Sequence, residues 1–276
     1  MDRIRLIASD MDATLLDEQS QLPADFEETI HALAELGIRF APASGRPLYT
    51  LEAMFPTLQD ELVFIGDNGG AIRWKGQNLF TSEMSPEGWR ALNRLTREQG
   101  DIAVLCGLES AYVERPFAVH DAVLRHFYTK IEYVDRLEDV TAPADKFTIY
   151  LPQHNAQQAY DTVYASQRSI YSVAVAGECW VDIMNPGVHK GAALQTLGQL
   201  WGLPSESIMA FGDTYNDAEM LQTVRYGFLM ENGSEPLRQK VPFLAPSHRK
   251  AGVMQVLHRV LAQNGCVCPE DFVPAH

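Results

Sequence analysis

Short apolar runs alternate with amphipathic stretches at both ends of this 276-residue chain, and the rhythm breaks in the middle. That interruption limits the fold more than any other feature. Residues 4–8 form a short apolar run that ends in the acids Asp10 and Asp12, as a buried strand delivering a loop would. Pro23 suits the first turn of a helix whose Phe26, Ile30, Leu33 and Ala34 share one face, and Gly37 can cap its end. A second strand over 38–43 stops at Ser44-Gly45-Arg46-Pro47, and a third over 62–65 stops at Asp67-Asn68-Gly69-Gly70. Residues 71–74 and 79–81 read as a hairpin around Gly76. Strand, helix, strand, helix, strand is the pattern of a parallel sheet with covering helices.

From Ser85-Pro86 the pattern changes. A helix carrying Trp89, Leu92 and Leu95 stops at Gly100. Strand-like runs at 102–106, 111–113, 147–151, 172–176 and 179–184 then interleave with helical ones at 118–128 and 156–165, with more hairpin character. The first pattern resumes with helices over 190–200, 216–221 and 235–240, strands over 207–211 and 226–230, and a last helix through Val253, Val256, Leu257 and Val260. The expected architecture is α/β: a Rossmann-like core with a parallel sheet, split into 1–83 and 188–276 by an inserted α/β cap domain over 84–187.

Charge narrows the partners. Twenty-two Lys and Arg against 36 Asp and Glu give a net charge of −14, which excludes the broad basic face that a nucleic-acid binder needs. No uninterrupted apolar stretch approaches the ~20 residues of a bilayer crossing, and no signal-peptide core fits the N-terminus. Four cysteines, Cys106, Cys179, Cys266 and Cys268, form no Cys-x-x-Cys pair, which suits a reducing cytoplasm. Cys266 and Cys268 read as two ordinary thiols on a loose end. The expected protein is soluble and cytoplasmic, a monomer or small homo-oligomer, with no nucleic-acid or membrane partner.

Three strand ends carry the chemistry, because ligands of open α/β sheets bind outside the carboxyl ends of the strands. In Asp10-Met11-Asp12-Ala13-Thr14-Leu15-Leu16 two carboxylates at the end of an apolar strand call for a cation or a reacting group, although acids there also serve as helix caps. In Gly212-Asp213-Thr214-Tyr215-Asn216-Asp217 two more acids follow an apolar strand. If these loops are neighbours, their oxygen ligands suit a hard divalent cation such as Mg2+; taken alone, the second loop is also a capped helix start. The third, Ala43-Ser44-Gly45-Arg46-Pro47, offers a hydroxyl, a glycine and a helix N-terminus that favours an anion.

Asp-x-Asp-x-Thr-Leu-Leu, Ala-Ser-Gly-Arg-Pro, Lys190-Gly191 opening a helix, and Gly-Asp-x-x-Asn-Asp-x-x-Met-Leu occur in this order and resemble the four motifs of the haloacid dehalogenase-like superfamily. The insertion is similar to the type II cap of its Cof-type phosphatase branch, and Phe228-Leu229-Met230-Glu231-Asn232-Gly233 is similar to a further family stretch. The resemblance implies a Mg2+-dependent phosphatase. Asp10 would be the nucleophile that forms an aspartyl-phosphate, and Asp12 the general acid and base. Mg2+ would sit on Asp10, the Asp12 carbonyl and Asp213, with Asp217 in support. Met11 through its N–H, Ser44, Gly45, Lys190 and Asn216 would hold the phosphoryl group. Taken alone, Lys190 is a solvated lysine in a helix first turn. The family usually has glycine where this chain has Ala13, so a positive φ there would carry a penalty of about 1 kcal/mol; the loop is expected to tolerate it.

A type II cap roofs the site and selects the substrate. Candidate contacts are Glu178, Trp180 and Asp182 on the strand returning to the core, with Arg46 and Asn68 on core loops; alternation puts Trp180 and Asp182 on one face. Core packing for Trp180 and an exposed strand face for the two acids are the competing readings. The expected substrate is a small phosphorylated metabolite, a sugar phosphate or a cofactor phosphate such as pyridoxal 5′-phosphate. A phosphomutase, or a phosphate-binding sensor impaired at Ala13, fits the same residues.

Overall fold

A computed structural model describes residues 1–276. The first stretch holds β1 (Asp2–Arg3), β2 (Leu6–Asp10), α1 (Phe26–Glu35), β3 (Arg39–Ala43), α2 (Leu48–Ala53), β4 (Val63–Gly66), β5 (Ala71–Trp74) and β6 (Gln77–Thr81). Next come α3 (Pro86–Gln99), β7 (Ile102–Gly107), β8 (Ala111–Glu114), α4 (Asp121–Phe127), β9 (Ile131–Val134), β10 (Ala144–Tyr150), α5 (Ala156–Asp161), β11 (Ser172–Val175) and β12 (Trp180–Met184). The chain closes with α6 (Lys190–Trp201), β13 (Ile208–Gly212), α7 (Ala218–Thr223), β14 (Tyr226–Met230), β15 (Phe243–Ala245), α8 (Gly252–Ala262), β16 (Cys266–Val267) and β17 (Val273–Pro274).

The larger sheet runs β17-β15-β14-β13-β2-β3-β4-β5-β6, parallel from β15 through β4 and antiparallel at both edges. Period-two alternation explains its two cores. Ile7, Phe40, Phe64 and Phe228 point to one face, where α1, α2 and α8 pack, while Leu6, Ala8, Ala41 and Ile65 point to the other, under α6 and α7. Because β2 is central and buried on both faces, it reads as a continuous apolar run. The helical rhythm of 235–240 is realised as a 3-10 turn, with Pro236 inside its first turn. Of the expected helix over 118–128, residues 118–120 belong to a 3-10 segment, Arg115–His120, and only Asp121–Phe127 is α.

The smaller sheet runs β11-β12-β10-β7-β8-β9, antiparallel except for the β8–β9 pair. Leu105, Phe147, Ile149, Val181 and Ile183 face α3 and α5. Ser85 caps α3 by accepting from the Gly88 N–H at 3.1 Å, and Gly100, at φ +74°, ends it. On the opposite face Ile102, Val104, Tyr150 and Trp180 pack under Leu124 of α4, while Lys146, Thr148 and Asp182 of that same face turn toward the loops of the larger sheet.

The C-terminal tail is not the loose end expected. Cys266 lies in β16, which pairs with β1, and the Cys268 Sγ lies 3.2 Å from an Asp271 carboxylate oxygen in a short capped turn. The four cysteines are free thiols. No helix is long and apolar enough to cross a membrane.

Candidate active site

Strands β2, β3 and β13 end side by side, which brings the Asp10, Ser44 and Asp213 loops to one sheet edge. After Asp10 the chain turns tightly through Met11–Leu15, and Ala13 takes φ +58°. A left-handed conformation that glycine adopts freely is therefore kept here with a Cβ. Asn232 steadies it, its side-chain amide donating to the Ala13 carbonyl at 2.9 Å while its carbonyl accepts from the His248 N–H at 3.0 Å. Ala13→Gly is expected to raise stability by about 1 kcal/mol, read as a higher midpoint in thermal unfolding, with activity retained.

Lys190, the first residue of α6, is fully buried, where sequence alone allowed a solvated lysine. Its Nζ donates to Asp10 Oδ1 at 2.5 Å and to Asp217 Oδ1 at 2.7 Å. The other Asp217 oxygen accepts from the Asp213 and Thr214 N–H groups at 3.0 and 3.3 Å. Gly212 permits this arrangement, because a Cβ there would lie 2.5 Å from that of Asp217.

One lysine faces three carboxylates. Burial pushes the Asp10 carboxyl up to about 8, against the pull of Lys190, and Asp217 and Asp213 add to the rise. Burial and Asp217 raise Asp213 to about 6. Burial draws Lys190 down, but Asp10 and Asp217 outweigh it and keep the ammonium charged. Carboxylate oxygens of Asp10, Asp213 and Asp217 lie within 4.8 Å of one another, an all-oxygen set with excess negative charge that fits Mg2+. Both Asp217 oxygens are already engaged, so Asp10 and Asp213 are the free donors.

The raised carboxyls fix a pH dependence. Folded Asp10 holds its proton from about its ordinary 3.8 up to about 8, where the unfolded chain has lost it. The contribution of Asp10 to the stability of the metal-free protein is therefore full below that window and falls as pH rises through it. Thermal unfolding in chelator should show this decline, and added Mg2+ should raise the midpoint more at pH 8 than at pH 5, since metal and proton compete.

Ser44 follows β3 and is buried; its Oγ accepts from the Arg46 N–H at 3.1 Å. Arg46 reaches across to Asp12 Oδ1 at 3.0 Å, and the Asp12 side chain is 58% exposed on the opening. A cavity of about 630 Å³ lies between these loops and the smaller sheet. Asp10, Asp12, Ser44, Gly45, Asp213 and Asn216 line it. Met11, Lys190 and Asp217 lie behind that lining, fully buried. The Asn216 side-chain oxygen is buried and has no partner in the protein.

The smaller sheet and α4 supply the facing wall. Trp180 packs against Tyr150 at 4.6 Å and Phe127 at 5.0 Å between ring centroids, and Phe127, Tyr128 and Trp180 line the cavity. Asp182 is buried rather than on an exposed strand face, accepting from Thr148 at 2.7 Å and Asn68 at 3.0 Å. Glu178 is exposed and meets His154 at 3.1 Å at the rim. Sequence reading missed Lys146, Asp67 and Asp145, all buried where β10 meets the turn after β4. Burial and the neighbouring Asp67 hold the Asp145 carboxyl well above the carboxylate range. The available signal was Asp145-Lys146 inside a strand otherwise rich in apolar residues.

The sequence profile described as haloacid dehalogenase-like hydrolase matches residues 7–257. The chain is 31% identical to a 5-amino-6-(5-phospho-D-ribitylamino)uracil phosphatase of Escherichia coli, over 94% of this chain and 96% of that one. It is also 31% identical to an HMP-PP phosphatase of Cronobacter sakazakii, over 87% and 89%. Among solved structures, SMU.1108c of Streptococcus mutans superposes with a TM-score of 0.85 at 28% identity, covering 94% of this chain and 99% of that one. A haloacid dehalogenase-like hydrolase of Bacteroides thetaiotaomicron shares the fold, with a TM-score of 0.81 at 22% identity over 94% and 100% of the two chains. Matched along nearly its whole length by profile, sequence and fold, this chain belongs to the haloacid dehalogenase-like hydrolases and is a phosphatase.

Proposed function

We propose that the enzyme hydrolyses a small phosphorylated metabolite with Mg2+, through an aspartyl-phosphate on Asp10. The observation that carries this reading is Asp10 at the cavity wall, held by buried Lys190, with Asp213 beside it and Asp12 at the opening. An Asp10 oxygen attacks phosphorus while Asp12 gives its proton to the departing alkoxide. Asp12 then takes a proton from water, whose oxygen attacks the same phosphorus and frees Asp10. Ser44, the Gly45 N–H, the Met11 N–H, Asn216 and Lys190 hold the phosphoryl oxygens. Asp10, Asp213 and the Asp12 carbonyl would hold Mg2+, which supplies neutralising charge to those oxygens. Asp217 supports them by fixing Lys190 and the 213–214 backbone.

The division into a core over 1–83 and 188–276 and a cap over 84–187 belongs to this proposal, supported by a smaller sheet formed wholly within Ile102–Met184. Free thiols support a cytoplasmic enzyme. The substrate is a sugar phosphate or a cofactor phosphate, and the aromatic wall of Phe127, Tyr128 and Trp180 favours a leaving group that carries a ring. Phosphate release from a panel of both kinds, with Mg2+ and with chelator, tests the proposal. Release from ring-bearing members in Mg2+ alone is expected; isomerised product without phosphate release would mark a mutase.

A further inference from the structure

We infer that Lys146, a cap-side residue, is a positioning residue for the phosphate loop, so that docking of the smaller sheet completes the site. This rests on the reading of Ser44 and Gly45 as phosphate ligands. Lys146 lies on β10 and is 1% exposed. Alternation sends Phe147 and Ile149 into the α3 side, and Lys146 with Thr148 toward the loops of the larger sheet.

The loop after β3 presents three successive carbonyls. That of Ser44 accepts from the Asn68 N–H at 2.9 Å and that of Arg46 from the Asp67 N–H at 3.0 Å, so one turn of the larger sheet holds both. The carbonyl between them, of Gly45, accepts from Lys146 Nζ at 2.5 Å. The same ammonium lies 3.0 Å from Asp67 Oδ1 and 3.6 Å from Asp182 Oδ2. One of its donors is thus taken by Gly45 and its charge is balanced by the two carboxylates, although its stem borders the cavity.

The Gly45–Arg46 peptide is therefore held at both ends, its carbonyl by Lys146 and its N–H by the Ser44 Oγ at 3.1 Å. With an Oγ lone pair accepting that N–H, the Ser44 hydroxyl hydrogen is free to donate toward a phosphoryl oxygen. Without Lys146 the Gly45 carbonyl loses its partner, the peptide can rotate, and the Ser44 hydroxyl is no longer aimed. Asn68 limits the rotation from one side only, packing where a Gly45 Cβ would meet it at 3.2 Å.

A kinetic double-mutant cycle tests this, with Lys146→Met and Ser44→Ala assayed on p-nitrophenyl phosphate in Mg2+ and with inorganic phosphate as competitive inhibitor. Each single variant is expected to lower kcat/KM and weaken phosphate inhibition, and the double to be no worse than Ser44→Ala alone, a coupling of about 10-fold or more. Losses that multiply independently would overturn the inference while leaving the phosphatase reading intact. No activity from the unsubstituted chain would overturn that reading instead. Because Lys146→Met strands the Asp67 carboxylate, the cycle is repeated in Asp67→Asn, which removes both members of the ion pair. Failure of Lys146→Met to fold in both backgrounds would make Lys146 a folding residue and likewise overturn the inference.

Discussion

Asp10→Asn is expected to lower kcat by about 10^4-fold or more, with the fold intact, as removal of a covalent nucleophile does. Asparagine keeps the shape of the side chain, and its amide oxygen can still accept from Lys190, so the neighbours need not move. What is lost is the anionic oxygen that must bond to phosphorus. The substitution also removes one of three crowded carboxyl groups, so the metal-free variant should lose much of the decline in stability between pH 4 and 8 that Asp10 imposes on the parent. Stopped turnover together with a flattened stability profile separates loss of a nucleophile from general damage. Full activity in this variant would remove Asp10 from the mechanism.

Lys190→Met has the second large effect, and it falls on stability as well as rate. The ammonium is fully buried between Asp10 and Asp217, so its removal leaves two buried carboxyl groups facing each other and is expected to cost about 3–5 kcal/mol. Loss of a charged donor to the transferring phosphoryl group should lower kcat by about 10^2–10^3-fold. The double variant Lys190→Met/Asp217→Asn distinguishes the two contributions. It relieves the uncompensated charge and should recover part of the stability, read as the urea midpoint, while activity stays low. Recovery of both together would make Lys190 purely structural.

The elements that sequence makes legible are those whose pattern is local. An apolar run followed by acids marks Asp10 and Asp213 at strand ends, and glycine and serine mark the Ser44 turn, because strand period and turn chemistry act over a few residues. The antiparallel edges of the larger sheet depend on which strands meet, and only the 71–81 hairpin announces itself, through Gly76 at φ +69°. The burial of Lys146 and of Asp182, which the sequence marked only as a candidate contact on a strand face, is not legible for the same reason. Their strands alternate polar and apolar residues as a solvent-facing sheet does, and only docking against the Asp67 turn converts that polar face into a buried cluster. Lys190 shows it from the other side: at a helix start it reads as a surface lysine, and its burial is decided by two aspartates 180 and 27 positions away.

The most direct test of the account is to trap the acyl phosphate. Enzyme turning over substrate in Mg2+ is quenched with borohydride, which reduces an aspartyl-phosphate to homoserine, and the peptide containing Asp10 is read by mass spectrometry. Homoserine at position 10, absent without substrate, is the result the account predicts. Continued phosphate release with position 10 unmodified, or the modification at another carboxylate, would contradict it.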